Sequence, residues 1–347
     1  MSYISFQPRD YFNTKLYTGN DTTQSITGVG FQPDWVWIKD RGASNNHELF
    51  DAVRGATKRI YTDTNDAQDT NSNSLTSFNS DGFSVGSNNS NNDLNHNYAS
   101  WNWRASGTSG SSNTDGSVSA TVSASATSGF SIVKYTNPSS GSPFTVGHGL
   151  GRPPKMVIIK NLSSSQTWGV YHASVGFGKY LRLDTSNGEA SANLVTATSN
   201  TTFSTYQDHH STGNELIAYC FADIQGHQKI TSIYGAGDTA NGSFCNLGFS
   251  PAFILTKEVP TSAGYNWIIN DNKRIGYNPA NKRLVADGLD VEADSGGSKG
   301  LNIDVLANGF KIRNNDGHYP VDNRKYLVYA VASNPLVSSN GVPNLAL

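Results

Sequence analysis

The stretch GVGFQPDWVWIK at residues 28–39 predicts a turn followed by a short β-strand that is buried on both faces. Pro33 has no N–H group to donate to a β-ladder, so we expect it at the start of the strand. The residues from Trp35 to Ile38 are all apolar and favour strands, and Lys39 ends the run. A strand without a polar face must be covered on both sides, which indicates a layered β-structure.

The same pattern occurs twice more, as GLGRPPKMVIIK at residues 149–160 and as GFSPAFILTK at residues 248–257. In every copy a glycine and a large apolar residue come first, and a proline stands six residues before a lysine. These prolines and lysines are Pro33 and Lys39, Pro154 and Lys160, and Pro251 and Lys257. Three copies of one pattern predict three copies of one structural unit.

Composition agrees with a β-rich protein and excludes some function classes. The chain has 347 residues, which is enough for two or three domains, and it contains 16 Tyr, 15 Phe and 6 Trp. Its formal net charge of −2, with only 15% charged residues, gives no reason to expect nucleic acid or an anionic membrane as a partner. There is no long apolar span, signal peptide or heptad pattern, so we expect neither a membrane anchor nor a coiled-coil stalk.

Short predicted strands recur along the chain with Gly, Asn and Asp between them, as in antiparallel β-sandwiches. We therefore predict an all-β fold of three tandem, mutually similar, jelly-roll-like β-sandwich repeats. Close packing with pseudo-threefold symmetry is favoured over beads on a string, although sequence leaves both open. The predicted division is an N-terminal docking arm (1–14), segment A (15–105), a Ser/Gly/Thr-rich link or edge strand (106–128), segment B (129–226), segment C (227–334) and a C-terminal tail (335–347).

The N-terminal arm is unusually rich in large apolar side chains for a chain end. It contains Tyr3, Ile4, Phe6, Tyr11 and Phe12. Chain ends are usually mobile unless something ties them down, so we expect this arm to dock against its own body or against a neighbouring protein.

Acidic residues follow successive predicted strands at corresponding places in the three segments. The pairs are Asp51 and Asp63 in segment A, His172 and Asp184 in segment B, and Asp271 and Asp287 in segment C. Two carboxylates can hold a calcium ion or hydrolyse a glycosidic bond. Because the positions recur and one of them becomes histidine, turn capping or salt bridging is the favoured interpretation.

Other candidate sites are weaker. The glycines at residues 147–151 resemble a phosphate loop, but a strand rather than a helix is predicted after them, so we interpret them as a turn. His209 and His210 have no spaced third metal ligand nearby, and loops at 206–210 and 318–319 are candidates for ligand contact by position alone.

Strand alternation places Trp101 and Trp103 on one face, where a core role is favoured over a sugar-stacking platform. Cys220 and Cys245 lie in or beside apolar strands and are expected to be buried free thiols.

Several motifs resemble a family of virion structural proteins from marine and cyanobacterial tailed phages, whose members are labelled tail fibre or tail-associated. The matching stretches are YFNTKLYTGN (11–20), ITGVGFQPDWVWIKDRG (26–42), LFDAVRGA (49–56), LTSFNSDGFSVGS (75–87), YASWNWRA (98–105), VGHGLGRPPKMVIIKN (146–161), IAYCFADIQG (217–226), LANGFKIR (306–313) and NPLVSSNGVP (334–343). That family is assigned no catalytic residues, so none are carried over, and no cofactor or metal is implied.

The resemblance implies a non-enzymatic, multi-copy virion protein that is made in the host cytoplasm. Its implied partners are other tail or capsid proteins and a polysaccharide or protein of the host surface. A tail appendage is the first expectation. A capsid decoration or head fibre acting as a pseudo-trimer is the alternative, and a polysaccharide depolymerase is the second alternative.

Overall fold

The computed structural model describes residues 6–138, 143–206, 211–236, 242–259, 264–294, 302–313 and 323–335. Regular structure in these ranges is almost entirely β, with one short 3₁₀ helix at Pro8–Asp10 and one short α-helix, α1, at Asn89–Asn92. The named strands pair antiparallel in several stacked sheets. The predicted all-β sandwich fold is therefore confirmed.

Segment A consists of a six-stranded large sheet and a three-stranded small sheet. The large sheet has the order β1-β9-β3-β4-β5-β6, and the small sheet has the order β2-β8-β7. The strands are β1 (Phe12–Thr18), β2 (Gln24–Thr27), β3 (Trp35–Asp40), β4 (Glu48–Asp51), β5 (Lys58–Tyr61), β6 (Asp69–Thr70), β7 (Leu75–Asn79), β8 (Gly82–Val85) and β9 (Asn97–Trp103).

Segment B has a large sheet ordered β10-β11-β12-β20-β14-β15, a small sheet ordered β13-β19-β18, and a two-stranded sheet β16-β17. The strands are β10 (Ser111–Asn113), β11 (Ala120–Ser125), β12 (Phe130–Thr136), β13 (Phe144–Gly147), β14 (Met156–Asn161), β15 (Gly169–His172), β16 (Lys179–Tyr180), β17 (Ala190–Ser191), β18 (Ala197–Thr198), β19 (Thr202–Thr205) and β20 (Glu215–Phe221).

Segment C has a large sheet ordered β21-β29-β23-β24-β25-β26 and a small sheet ordered β22-β28-β27. The strands are β21 (Gln228–Tyr234), β22 (Phe244–Asn246), β23 (Phe249–Glu258), β24 (Ile268–Asp271), β25 (Lys282–Val285), β26 (Ala293–Asp294), β27 (Ile303–Leu306), β28 (Gly309–Ile312) and β29 (Lys325–Pro335).

The strand orders of the three segments correspond. In each large sheet the first strand of the segment pairs with the last, and the last pairs with the strand that carries the repeated lysine, as in β1-β9-β3, β12-β20-β14 and β21-β29-β23. Segment B differs at its edges, since β10 and β11 extend the sheet on one side. The Ser/Gly/Thr-rich tract at 106–128 thus supplies edge strands rather than only a flexible link.

The lysine-bearing strands are buried on both faces, as predicted. Every residue of β3, β14 and β23 is buried. Pro251 differs from the expectation, because it lies inside β23 at a register shift instead of at the start of the strand. A β-bulge accommodates a proline within a sheet, since the missing N–H falls where the ladder is already interrupted.

Two layers of core explain why these strands have no polar face. One face of the large sheet in segment A, including Val36 and Ile38, packs against the small sheet through residues such as Phe83. The opposite face, with Trp35 and Trp37, contributes to a larger cluster that draws residues from all three segments. Segments B and C each have their own inner cluster as well.

The common core is strongly aromatic. Trp35 lies 4.8 Å from Tyr219 and 5.5 Å from Phe130, measured between ring centroids, so this indole is one point at which segment A contacts segment B. Phe253 of segment C lies 5.3 Å from Trp103 of segment A. Three sheets that bury aromatic faces against one another cannot separate without exposing a large apolar surface.

Candidate functional site

The three repeated lysines lie where neighbouring segments meet. Lys39, Lys160 and Lys257 are fully buried and occupy the penultimate position of β3 and β14 and of β23. Each ammonium group donates to a loop carbonyl of its own segment and to one carbonyl of a neighbouring segment. The carbonyl acceptors across the seams are Leu289 for Lys39 (3.3 Å), Asn65 for Lys160 (3.1 Å) and Ser186 for Lys257 (2.8 Å).

These contacts run in one direction around the molecule. The lysine of segment A donates to a carbonyl of segment C, the lysine of segment B to one of segment A, and the lysine of segment C to one of segment B. The acceptor in every case stands two residues after the second repeated aspartate, Asp287, Asp63 or Asp184. The lysines therefore form a closed cycle of equivalent contacts.

Burial shifts the protonation equilibria of these lysines. Loss of solvation lowers the pKa of Lys39, Lys160 and Lys257 to about 8, and nearby aspartates such as Asp63 and Asp184 oppose this effect. Below that pH the ammonium groups are charged and donate to backbone carbonyls, so their role in the fold is to hold two chain segments together.

The second aspartate of each predicted pair caps the neighbouring strand. Asp63, Asp184 and Asp287 accept the backbone N–H at the start of β4, β15 and β24, at 3.0, 3.1 and 2.9 Å. Burial raises the pKa of all three carboxyl groups to about 6, against hydrogen bonds that lower it. They are structural acceptors, in agreement with the turn-capping interpretation.

The raised pKa values predict a specific pH dependence of stability. Because the folded-state pKa of Asp287 lies above its ordinary value of 3.8, the folded state holds the proton more tightly than the unfolded state. Stability is therefore lost as pH rises from about 4 to about 6, by about 3 kcal/mol for this group if the whole shift of roughly two pKa units is expressed. The measurement is the difference in free energy of unfolding between the wild type and Asp287→Asn at several pH values.

Asp81 provides a control of opposite sign. Its carboxylate accepts the N–H groups of Gly28 and Gly30, which lowers its pKa. The wild type should therefore gain stability relative to Asp81→Asn as pH rises towards 4, and lose it as pH falls. If the difference in free energy of unfolding between the wild type and Asp287→Asn stayed constant from pH 4 to 6, the raised pKa of Asp287 would be contradicted.

The first aspartate of each pair forms a buried ion pair in segments A and C. Asp51 accepts from Arg54 at 2.5 Å, and Asp271 accepts from Arg274 at 2.6 Å, with all four side chains at most 1% exposed. Both carboxylates also bridge segments, because Tyr219 donates to Asp51 at 2.7 Å and the indole N–H of the Trp101 side chain donates to Asp271 at 3.0 Å.

These contacts leave the aspartates a structural role. Their oxygens are occupied by arginine and by groups from a neighbouring segment, as salt bridging predicts. Within the described ranges, no group of three or more His, Cys, Asp or Glu side chains is arranged to hold a metal ion.

Segment B lacks the ion pair and has a cavity at the corresponding place. His172 replaces the aspartate and Val175 replaces the arginine, three residues further on. A cavity of about 410 Å³ opens beside Val175, at the seam between segments B and C, which we call the B–C cavity. Its polar lining includes Lys179 and Glu189 of segment B and Arg324 and Lys325 of segment C.

The N-terminal arm docks on its own chain where it is described. Phe12 is only 2% exposed and belongs to β1, so segment A begins there and not at Lys15. Phe6 and Tyr11 pack edge-on against the buried ring of His227, at 5.3 and 6.1 Å. Of the two expected docking modes, Phe12 therefore takes the first, because its ring fills the common core against Trp103 and Phe253 and is not available to a virion partner.

Two further residues proposed for docking, Tyr3 and Ile4, lie outside the described residues. So do His209 and His210 and the loop at 318–319, whereas Tyr206 lies just after β19.

The remaining sequence interpretations agree with the structure. Trp101 and Trp103 are at most 1% exposed, so they belong to the core and offer no sugar-stacking surface. Cys220 and Cys245 are buried and free. The glycines at 147–151 connect β13 to β14 without a helix, as a turn does.

Arg54, Arg274 and the B–C cavity were not anticipated from the sequence. A signal existed, because DAVR at residues 51–54 and DNKR at 271–274 correspond to HASV at 172–175. The substitution of valine for a buried arginine predicts empty space.

No helix in the described ranges is both long and apolar enough to cross a membrane.

Comparison with curated proteins gives no significant match, and comparison with solved structures gives none either. A family model described as "Domain of unknown function (DUF7483)" matches residues 7–335. That match spans all three segments, from the 3₁₀ helix before β1 to the end of β29. The chain therefore belongs to the DUF7483 family.

Proposed function

We propose that this chain is a non-enzymatic structural protein of a tailed-phage particle, serving as a tail fibre or tail-associated appendage that contacts the host cell surface. The setting rests on the sequence resemblance to phage virion proteins. The observation that supports a structural role is the cycle of lysine contacts around the three segments, Lys39 to Leu289, Lys160 to Asn65 and Lys257 to Ser186.

The cycle supports this role because it makes three sandwiches one rigid body. Each buried ammonium group ties two segments together, and the aromatic core joins all three behind it. Both cysteines are buried and free, so this rigidity depends on packing rather than on cross-links. A body of this kind presents its loops in fixed positions, as contact with a cell surface requires.

A second candidate is a capsid decoration protein that acts as a pseudo-trimer. The direction of the lysine contacts favours this candidate. The lysine of each segment donates to the next segment in the same rotational direction, as equivalent contacts do between the subunits of a threefold ring. A single chain with this arrangement matches a threefold position on a particle without being a trimer itself.

Difference cryo-electron microscopy of whole particles tests both candidates. Maps of wild-type phage and of phage lacking the gene are compared. Three-lobed density that disappears from the tail supports the first proposal, and density that disappears from threefold positions of the capsid supports the second. Absence of the chain from purified particles would overturn both. Release of soluble sugars from host polysaccharide by the purified chain would overturn the non-enzymatic assignment.

Attachment of the chain to the particle is expected to depend on residues 1–5. Deleting them removes Tyr3 and Ile4 and leaves Phe6 and Phe12 in place. We expect an unchanged melting temperature, because the core contacts of Phe12 persist, but reduced copy number in purified particles. Normal copy number in particles that carry the truncated chain would show that this segment is not the anchor.

A further inference from the structure

We infer that the B–C cavity binds one carboxylate-bearing sugar ring, of the uronic acid class. The inference names a ligand for the proposed contact with a host surface and in that respect rests on the proposed function. Its own basis is the difference between segment B and the other two segments at this place.

The cavity exists where a buried arginine is missing. In segment A the Arg54 guanidinium reaches Gln68 at 3.2 Å, and in segment C the Arg274 guanidinium reaches Glu292 at 3.4 Å. Val175 stands at the corresponding position of segment B and is too short to reach Glu189. The space that a guanidinium group fills in segments A and C is therefore open in segment B.

The seam is also looser at the cavity than at its two counterparts. The N–H of Gln68 donates to the carbonyl of Leu162 at 3.1 Å, and the N–H of Glu292 donates to the carbonyl of Arg41 at 2.8 Å. The corresponding residues at the B–C seam, Glu189 and Val259, are both described and share no such backbone bond. The backbone contact that closes the other two seams at this place is therefore missing beside the cavity.

Two of the cationic side chains in the lining have an acidic partner. Lys179 pairs with Glu189, and Arg324 pairs with Glu258 at 2.6 Å. Each pair is locally neutral, so neither attracts a further anion by net charge alone. Both remain available as hydrogen-bonding groups, because an ammonium or guanidinium carries several N–H donors.

Lys325 differs from them, because its partner across the seam is the neutral carbonyl of Ser174. One contact of this kind leaves two N–H donors of the ammonium group unused by that acceptor. Among the described side chains that line the cavity, Lys325 thus adds a single positive charge beyond the two ion pairs. A ligand with one negative charge balances it, and a carboxylate does so with charge-assisted hydrogen bonds.

The remaining lining suits a sugar better than a simple carboxylate. Val175 and Val259 form an apolar wall, while Glu189 and Asn323 can accept from hydroxyl groups. A volume of about 410 Å³ exceeds what a carboxylate alone would fill and lies in the range of small-ligand sites. A ring with one carboxylate, several hydroxyls and apolar C–H faces matches every part of this lining.

Calorimetric titration of the full chain with D-glucuronate tests the inference, with glucose and acetate as matched probes. We expect glucuronate to bind at least tenfold more tightly than either, since glucose lacks the charge and acetate lacks the ring. Lys325→Met should weaken glucuronate binding about ten- to hundredfold, the usual value of a charge-assisted hydrogen bond.

Two variants control for indirect effects. Lys229→Met removes another lysine of segment C that donates to a carbonyl, that of Asn246, outside the cavity, and it should leave binding unchanged. The double variant His172→Asp/Val175→Arg installs in segment B the ion pair of segments A and C. It should fill the cavity and abolish binding while the protein stays folded.

The inference is overturned if glucuronate does not bind, if glucose or acetate binds equally well, or if Lys325→Met and Lys229→Met behave alike. Should Lys325→Met fail to fold, the double variant decides, and retained binding in it overturns the inference. All of these outcomes are measured on the isolated chain. The proposed function is tested separately, by the location of the chain on a particle, so failure of one can be told from failure of the other.

Discussion

Replacing Trp35 by alanine is expected to lower the free energy of unfolding by about 3–5 kcal/mol, the usual cost of truncating a buried aromatic side chain to alanine. The indole is 2% exposed and contacts the rings of Trp103 in its own segment and of Tyr219 and Phe221 in segment B. The cavity left by the substitution lies between segments, so the loss should affect both of them. Urea denaturation followed by fluorescence and circular dichroism measures it.

Tyr234→Ala is the matched control for this substitution. Tyr234 is 59% exposed at the end of β21, so its loss should change stability by no more than about 0.5 kcal/mol. A Trp35→Ala variant as stable as Tyr234→Ala would contradict the placement of Trp35 in the common core.

Asp271→Ala is expected to cost about 3–5 kcal/mol, because it removes the nearer carboxylate of the buried Arg274 guanidinium and leaves only the longer contact to Glu292, at 3.4 Å. Both side chains are fully buried, and the indole N–H of Trp101 loses its acceptor in the same variant. The double variant Asp271→Leu/Arg274→Met should recover most of the loss, since replacing both members of a buried pair by apolar residues is often nearly neutral. Denaturation of the two single variants and the double variant completes the cycle.

The ion pair of Arg313 and Asp304 serves as the comparison. Its side chains are 40% and 15% exposed, so Asp304→Ala should cost only about 0–1 kcal/mol. If Asp271→Ala cost no more than Asp304→Ala, the carboxylate of Asp271 would not be a buried bridge between segments.

The most strongly patterned strands could be predicted from the sequence. The uninterrupted apolar run of β3 requires burial on both faces, and the alternation in β9 places Trp101 and Trp103 on one side. Burial of the strand at 28–39 and of its two counterparts is confirmed, since Trp35, Trp37, Ile158, Phe253 and Ile254 are at most 2% exposed. Local pattern suffices in these strands because burial is so nearly complete.

Short and polar strands could not be predicted in this way. β2 has a single buried residue, Ile26, and β10 has none, so neither carries a period that distinguishes it from a loop. Their pairing depends on partners that are distant in sequence, such as β8 for β2. The start of β1 at Phe12 was missed for a related reason. The residues before it include a proline and charged side chains, so the sequence gave no sign that the strand begins before Lys15.

The contacts between segments depend on three-dimensional arrangement. The sequence shows that Lys39, Lys160 and Lys257 correspond, but not that each reaches a carbonyl of a different segment. The B–C cavity depends on the same arrangement, because Val175 leaves a space only relative to the residues that face it. Position in the repeat indicated which residues to compare, and the packing of the segments determined what they contact.

Differential scanning calorimetry of the full chain tests most directly the claim that the three segments form one body around a common core. A chain of this length that unfolds as one unit should show a single transition, with calorimetric and van't Hoff enthalpies that agree at about 240 kcal/mol near 60 °C. Three separate sandwiches would instead give van't Hoff enthalpies near a third of the calorimetric value, or resolved transitions of about 80 kcal/mol each. Agreement of the two enthalpies is the result we predict, and a threefold excess of the calorimetric enthalpy would contradict the common core.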